Sequence, residues 1–167
     1  WLTIMYRFFN NLRQYSGEEV YQNENTPRQN EQCLRNFDLS QYRQLISDIC
    51  LLIYTQMVRS MTDKLQKLVI PAIIEHDATG GGQIIRCKSS VHDAQHEIDV
   101  AKALDMLLDE LSVFNKLIQS HHVDVDVRVI MFKELFHYIC ATSLNNLLLR
   151  RDMCHWAKGV QIRHNLS

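Results

Sequence analysis

His92 and His96 stand four residues apart, a spacing at which two imidazoles on one helical face can hold a zinc ion, and Glu97 follows directly. There is no HExxH motif, however, and no cysteine lies close in sequence to complete a tetrahedral site. A solvated helix start outweighs a metal site here, and a metal-dependent enzyme would have to show stoichiometric zinc on elemental analysis. Cys154 and His155 supply a thiol and a base, but neighbours on a helix point about 100° apart and do not readily form a reactive pair. His121–His122 lies at a polar joint, where cations suit the C-terminal end of a helix dipole. The glycines at 80–82 lack the Lys-Ser/Thr of a phosphate loop and follow no buried strand. No pair of carboxylates stands in an apolar setting. The chemistry-bearing residues therefore predict a non-catalytic region with no metal and no cofactor.

The least ordinary stretch is LNNLLLRRDMCHW at 144–156. Leu144, Leu147 and Leu148 share one helical face and Leu149 lies on another, so this turn is apolar nearly all round. It predicts a helix end buried among neighbours, with Asn145 and Asn146 hydrogen-bonded to backbone groups of adjacent loops because an unpaired buried amide is costly. Arg150 and Arg151 then follow as cations at the helix C-terminus, acting either as caps or as a small docking site.

Several helical patterns must position that stretch. Leu2, Met5, Phe8, Phe9 and Leu12 recur at helical spacing and close near Ser16-Gly17. Residues 17–37 are polar and read as a long connector broken at Thr26-Pro27. Ser40 or Asp38 can cap a long helix whose inward face carries Tyr42, Leu45, Ile46, Ile49, Ile53, Met57, Met61, Leu65 and Leu68, until Pro71 ends or kinks it. ATGGGQ and the polar residues after it read as a loop. A third long helix presents Ile98, Ala101, Leu104, Leu108, Leu111 and Leu117. A fourth, from about Val125 to Arg150, presents Val127, Ile130, Met131, Leu135, Tyr138, Ile139, Thr142 and Leu148. After a turn over DMCHW a further helix starts near VQIRHN. No internal repeat is present.

Composition agrees with an all-α class of long antiparallel helices. Among 167 residues, 46% are hydrophobic, yet only 5 are Gly and 2 are Pro, which disfavours a turn-rich β architecture. The formal net charge of -1 gives no overall basic field for nucleic acid or an acidic membrane. The apolar runs are too short to span a bilayer. Five scattered cysteines with no CxxC spacing read as reduced thiols of a cytosolic protein, and the Asn165-Leu166-Ser167 acceptor pattern is therefore discounted. The chain begins inside an apolar pattern with no initiator Met and no signal peptide, as expected of a piece cut from a longer protein.

Three segments also carry a resemblance: RFFNNLRQYSGEE, FDLSQYRQLISDICLLIYTQ and LNNLLLRRDMCHWAKGVQIRHNLS. In order and approximate spacing they resemble the dilute-domain globular tail of class V myosins, with a departure from about Asp77 to Asp105. The resemblance implies an elongated bundle of helices similar to vesicle-tethering-complex subunits. Residues 1–150 would be most of a first subdomain and 151–167 the beginning of a second. It implies a cargo-binding tail of an actin-based vesicle transport motor. The parent would be a homodimer with calmodulin-type light chains and an actin-activated ATPase lying outside these residues. Partners would be melanophilin-like and Spire-like adaptors, Rab-family GTPases and the motor's own head, without direct membrane insertion, in the cytoplasm on vesicles and the actin cytoskeleton. The alternative is a dilute-domain scaffold or tethering protein without a motor.

By the same resemblance, an adaptor groove involves Phe8 and Gln41, where related tails often have glutamate at the second position; plain core packing is an equal reading for Phe8. Arg151, where many relatives have lysine, would contact an acid on the head in the repressed motor, with the same charge but a different donor geometry. Ser89, three residues after Arg86, and Ser90 stand in a basic segment where phosphate would add about two negative charges. An unmodified loop is at least as good a reading there.

Overall fold

The computed structural model describes residues 1–75, 100–150 and 156–166 of the chain. Among these residues every regular element is helical. Helix α1 spans Leu2–Gln14, α2 Glu19–Gln22, α3 Pro27–Glu31 and α4 Ser40–Val69. A π-turn at Ile70–Glu75 continues α4 without a gap. Helices α5 (Val100–Ser120), α6 (Val125–Leu149) and α7 (Trp156–Asn165) follow. None of the described helices is long and apolar enough to cross a membrane.

The spine is α4 with its π-turn, against which α1, α5, α6 and α7 all pack. At 30 residues α4 is about 45 Å long, more than any partner can cover. Its burial is correspondingly uneven. Met61, Leu65, Leu68 and Val69 are buried, whereas Ile53, Tyr54 and Met57 are half-buried. Tyr42 and Leu45, expected on the inward face, are exposed because the first turns project beyond the core. Asp38 accepts from the Ser40 N–H at 2.8 Å and so anchors the helix start, although Leu39 is the capping residue. That hydrogen bond holds the Asp38 carboxyl below its ordinary value.

Helix α1 runs antiparallel to α4. Leu2 at its start joins the core containing Met61 and Leu65, and the Thr3 hydroxyl donates to the His121 carbonyl at 2.8 Å. At its other end Arg13 lies 4.7 Å from the Tyr21 ring centroid, and Arg43 of α4 lies 5.5 Å from the same ring. The polar segment 17–37 is thus no passive connector. Thr26-Pro27, expected as a break, starts α3 instead: Thr26 and Gln29 form a reciprocal capping box with Pro27 in the first turn. Asn25 donates to the Gln14 carbonyl at 2.7 Å, and Gln29 to the Gln14 side chain at 3.1 Å. Gly17 takes a φ of 73°, which a side chain would strain.

Between α5 and α6 the chain turns on a Schellman motif. His122 occupies the left-handed position (φ 53°) usually taken by glycine, with its N–H donating to Gln119 and that of Val123 to Ile118. Val123 buries against the core beside Ile118, and the Asp124 side chain then caps α6 by accepting from Asp126 N–H at 3.0 Å.

The inward face of α5 differs from the one expected. Leu111 is buried and Leu104 packs half-buried against the core as expected, but Ala103, Leu107, Phe114 and Ile118 make up the rest of the buried face, while Leu108 and Leu117 face out. Either register offers a row of leucines. The observed one buries the Phe114 ring, which meets Phe132 of α6 at 6.0 Å, and leaves the Asn115 amide away from the core centre. In α6 the buried row is Met131, Leu135, Ile139 and Ser143, so Ile130 and Leu148 are exposed rather than inward. Of the residues expected inward on α5, Ile98 lies outside the described residues.

Tyr54 offers a test of the α4–α6 contact. Burial, with the Glu134 carboxylate of α6 adding to it, pushes the Tyr54 phenol up to about 12. A raised folded-state value means the neutral phenol is favoured by folding. Its contribution is complete below the ordinary tyrosine value of about 10 and is lost as pH rises through about 12. Tyr54→Phe should remove the highest-pH limb of the phenolate absorbance titration. A titration whose high-pH limb survives that substitution would mean Tyr54 is not at this interface.

Candidate functional site

Of the residues expected to bind partners, Phe8 and Gln41 are the two that fall in described segments. Phe8 lies on the outer side of α1, 47% exposed, in a row with the exposed Trp1 and Ile4. Gln41 is exposed in the first turn of α4, the helix along which α1 packs. Phe8 lies midway along α1, and Gln41 stands two residues before Arg43, whose guanidinium meets the Tyr21 ring. No ionisable group lies at either position. Recognition there would depend on an apolar ring and a neutral amide.

Sequence reasoning missed the aromatic pair beside Gln41. Phe37 and Tyr42 stack with centroids 6.1 Å apart, both are exposed, and Leu34 and Leu45 flank them one turn away on each side, also exposed. The reason is local. Asp38 and Leu39 turn the chain into α4 so that Phe37 is brought over the first helical turn, while Leu39 is buried beneath. The signal was present as F-D-L-S-x-Y, an aromatic on each side of a helix start. It was obscured by the expectation that Tyr42 belongs to the core.

The patch has rigid backing. Arg43 pairs with Glu18 and faces Tyr21, and Arg13 pairs with Glu24 at 3.5 Å. These contacts tie segment 17–37 to both helices, so the apolar side chains project from a fixed surface. Two-χ aromatic side chains on such a base lose little conformational entropy on binding.

The end of α6 departs from expectation. Leu144 and Leu148 are exposed and Leu149 is 83% exposed, so the three-leucine turn is not enclosed by the described residues. The local pattern fixes how apolar a helix end is, but not which segment covers it. Asn146 donates to the Thr142 carbonyl at 2.8 Å within its own helix, and Asn145 is exposed. Arg150 pairs with Glu75 at 3.1 Å, joining the end of α6 to the end of the π-turn. An open hollow of about 520 Å³ lies nearby, lined by Leu147, Gly159, Ile162, Arg163 and Leu166.

Arg151, Ser89, Ser90, His92, His96, Glu97, Cys154 and His155 lie outside the described residues. Among the described residues no three His, Cys, Asp or Glu side chains come together as metal ligands. His121 and His122 are exposed at the Schellman turn, a backbone role rather than a chemical one.

Comparison with known proteins adds the following. A family model described as the DIL domain matches residues 130–167, from the body of α6 through α7. Along its whole length the chain is 40% identical, over 173 aligned residues, to unconventional myosin-Va of Gallus gallus, covering 9% of that protein. It is 36% identical over 169 residues to unconventional myosin-Vb of Mus musculus, again covering all of the chain and 9% of the relative. Unconventional myosin-Vc of Homo sapiens is 37% identical over 169 residues, with all of the chain and 10% of the relative covered. The chain thus spans about a tenth of the length of the relatives it matches.

Proposed function

The chain belongs to the class V myosins, as a stretch of their DIL-domain globular tail, and from that premise we propose that it binds cargo adaptors for an actin-based vesicle motor. The observation that carries the reading is similarity over the entire chain to unconventional myosins Va, Vb and Vc alike, rather than to one motif. The catalytic cycle of the parent, an actin-activated ATPase, would reside in its head and not in these residues. Residues 1–150 would form most of the first tail subdomain and 151–167 the beginning of a second. Melanophilin-like or Spire-like adaptors and Rab-family GTPases are the proposed partners, on vesicles in the cytoplasm.

The exposure of Phe8 on α1, and of Phe37 and Tyr42 beside Gln41, supports adaptor binding through these side chains. An adaptor segment would dock mainly through apolar contact, with Gln41 offering hydrogen bonds instead of charge. Calorimetric titration of adaptor peptides into the complete tail tests this directly. Saturable binding that is nearly independent of salt supports it, and binding that collapses with salt would favour a charged site elsewhere.

Folding of the tail onto its own head is the second part of the proposal, with Arg151 contacting an acid there. Its neighbour Arg150 is engaged with Glu75. An exposed ion pair contributes about 0.2–1 kcal/mol, so Arg151 cannot hold a head alone. Arg151→Glu in the complete tail should shift the docking equilibrium by up to about fivefold and raise the actin-activated ATPase of a repressed motor. If the substituted tail still represses fully at low salt, Arg151 is only a cation at a helix end.

A further inference from the structure

We infer that Tyr21 is a phosphorylation site whose phosphate is received by Arg13 and Arg43, the two arginines that flank its ring. Tyr21 lies outside the proposed adaptor contacts at Phe8 and Gln41.

Of the six tyrosines in the chain, four stand inside long helices: Tyr6 in α1, Tyr42 and Tyr54 in α4, and Tyr138 in α6. Tyr15 caps α1, and its carbonyl accepts from the Leu34 N–H at 3.0 Å. Tyr21 instead belongs to α2, a single turn of four residues in which no residue is buried. A kinase has to bring the phenol in line with the γ-phosphate of ATP. A tyrosine within a packed helix reaches that position only if several turns unfold, whereas one helical turn is marginal on its own and opens at little cost. Glu18 and Glu19 stand directly before Val20-Tyr21, an acidic approach that complements a kinase with a basic substrate groove.

The surroundings suit the product. The Arg13 guanidinium carbon is 4.7 Å from the Tyr21 ring centroid, and that of Arg43 is 5.5 Å away. Arg43 pairs with Glu18, and Arg13 with Glu24 at 3.5 Å. The Arg43 Nη1 group is nevertheless buried with no acceptor among the described residues. A carboxylate offers two oxygens and one charge, whereas a phosphate monoester brings three oxygens and about -1.5 to -2 charges. It can bridge both guanidiniums and give Nη1 an acceptor, while Glu18 and Glu24, both exposed, return to water. Because the arginines come from α1 and α4, the phosphate would tie α2 to both helices.

In the transfer, Tyr21 Oη attacks the γ-phosphorus of ATP and a new O–P bond forms. The bond from that phosphorus to the β,γ-bridging oxygen breaks, and ADP leaves with its electron pair. The phenol proton passes to the base of the kinase and then to solvent.

Treating the intact parent protein with ATP and an acid-directed tyrosine kinase, followed by phosphopeptide mass spectrometry, tests the site. Tyr21 should take phosphate about tenfold faster than Tyr42, even though Tyr42 is 54% exposed. Modification of Tyr42 first, or none at Tyr21, would overturn the assignment. Removal of the phosphate by a tyrosine phosphatase tests the arginines. At low salt, Arg13→Gln and Arg43→Gln should each lose phosphate about three- to tenfold faster than the parent, because a paired phosphate must first leave its guanidiniums. High salt should abolish the difference. Equal rates in parent and variants at low salt would contradict reception by the arginines. Should Arg43→Gln, at the more buried of the two positions, unfold the protein, Arg13→Gln decides.

Discussion

Phe8→Ala in the complete tail lowers affinity for a cargo-adaptor peptide by about thirtyfold while far-ultraviolet circular dichroism still reports a helical protein. The size follows from the truncation of a binding hot spot, at about 2 kcal/mol or more for a central aromatic. Survival of the fold follows from exposure. A fully buried Phe truncated to Ala costs about 3–5 kcal/mol, and a ring that is 47% exposed forfeits roughly half of that. Domains of this size hold about 5–15 kcal/mol, so the helices remain. Loss of helical signal would instead make Phe8 a packing residue, and unchanged affinity would move the adaptor site off α1.

Adjacent leucines on α5 should behave as opposites. Leu107 is 3% exposed and Leu108 is 53% exposed. Leu107→Ala should cost about 2–5 kcal/mol, read as a lower urea midpoint with unchanged slope. Leu108→Ala should fall within about 0.5–1 kcal/mol of the parent, in line with other surface changes. Equal costs, or the reverse order, would mean that α5 is turned about its axis by one residue from the register described above.

That contrast also marks the limit of what the sequence disclosed. The existence of α4, α5 and α6 was legible, because apolar residues at a helical period persist through each and Gly and Pro are scarce. The register of α5 was not, since Leu104, Leu108 and Leu111 make as good a row as Leu107 and Leu111. Only the size of Phe114 and the polarity of Asn115 separate them. In α6 almost every side is apolar, so the period carries little directional information and Leu148 was placed inside. Thr26-Pro27-Arg28-Gln29 contained a complete capping box, but the proline alone was weighed, as a break. Pro71 announced an end or a kink of the long helix, but a proline alone does not say that the backbone continues as a π-turn. Of the candidate site, the Phe8 and Gln41 positions came through resemblance to a family. The Phe37–Tyr42 pair beside Gln41 needed the three-dimensional turn at Asp38.

The central claim, that this chain belongs to a tail that recruits cargo, is tested most directly by expressing the complete tail without its head in cells and tracking vesicles. The headless tail should gather on vesicles and displace the intact motor, so that actin-dependent vesicle runs become fewer, and Phe8→Ala should disperse it. A headless tail that stays diffuse while vesicles continue to move normally would contradict it.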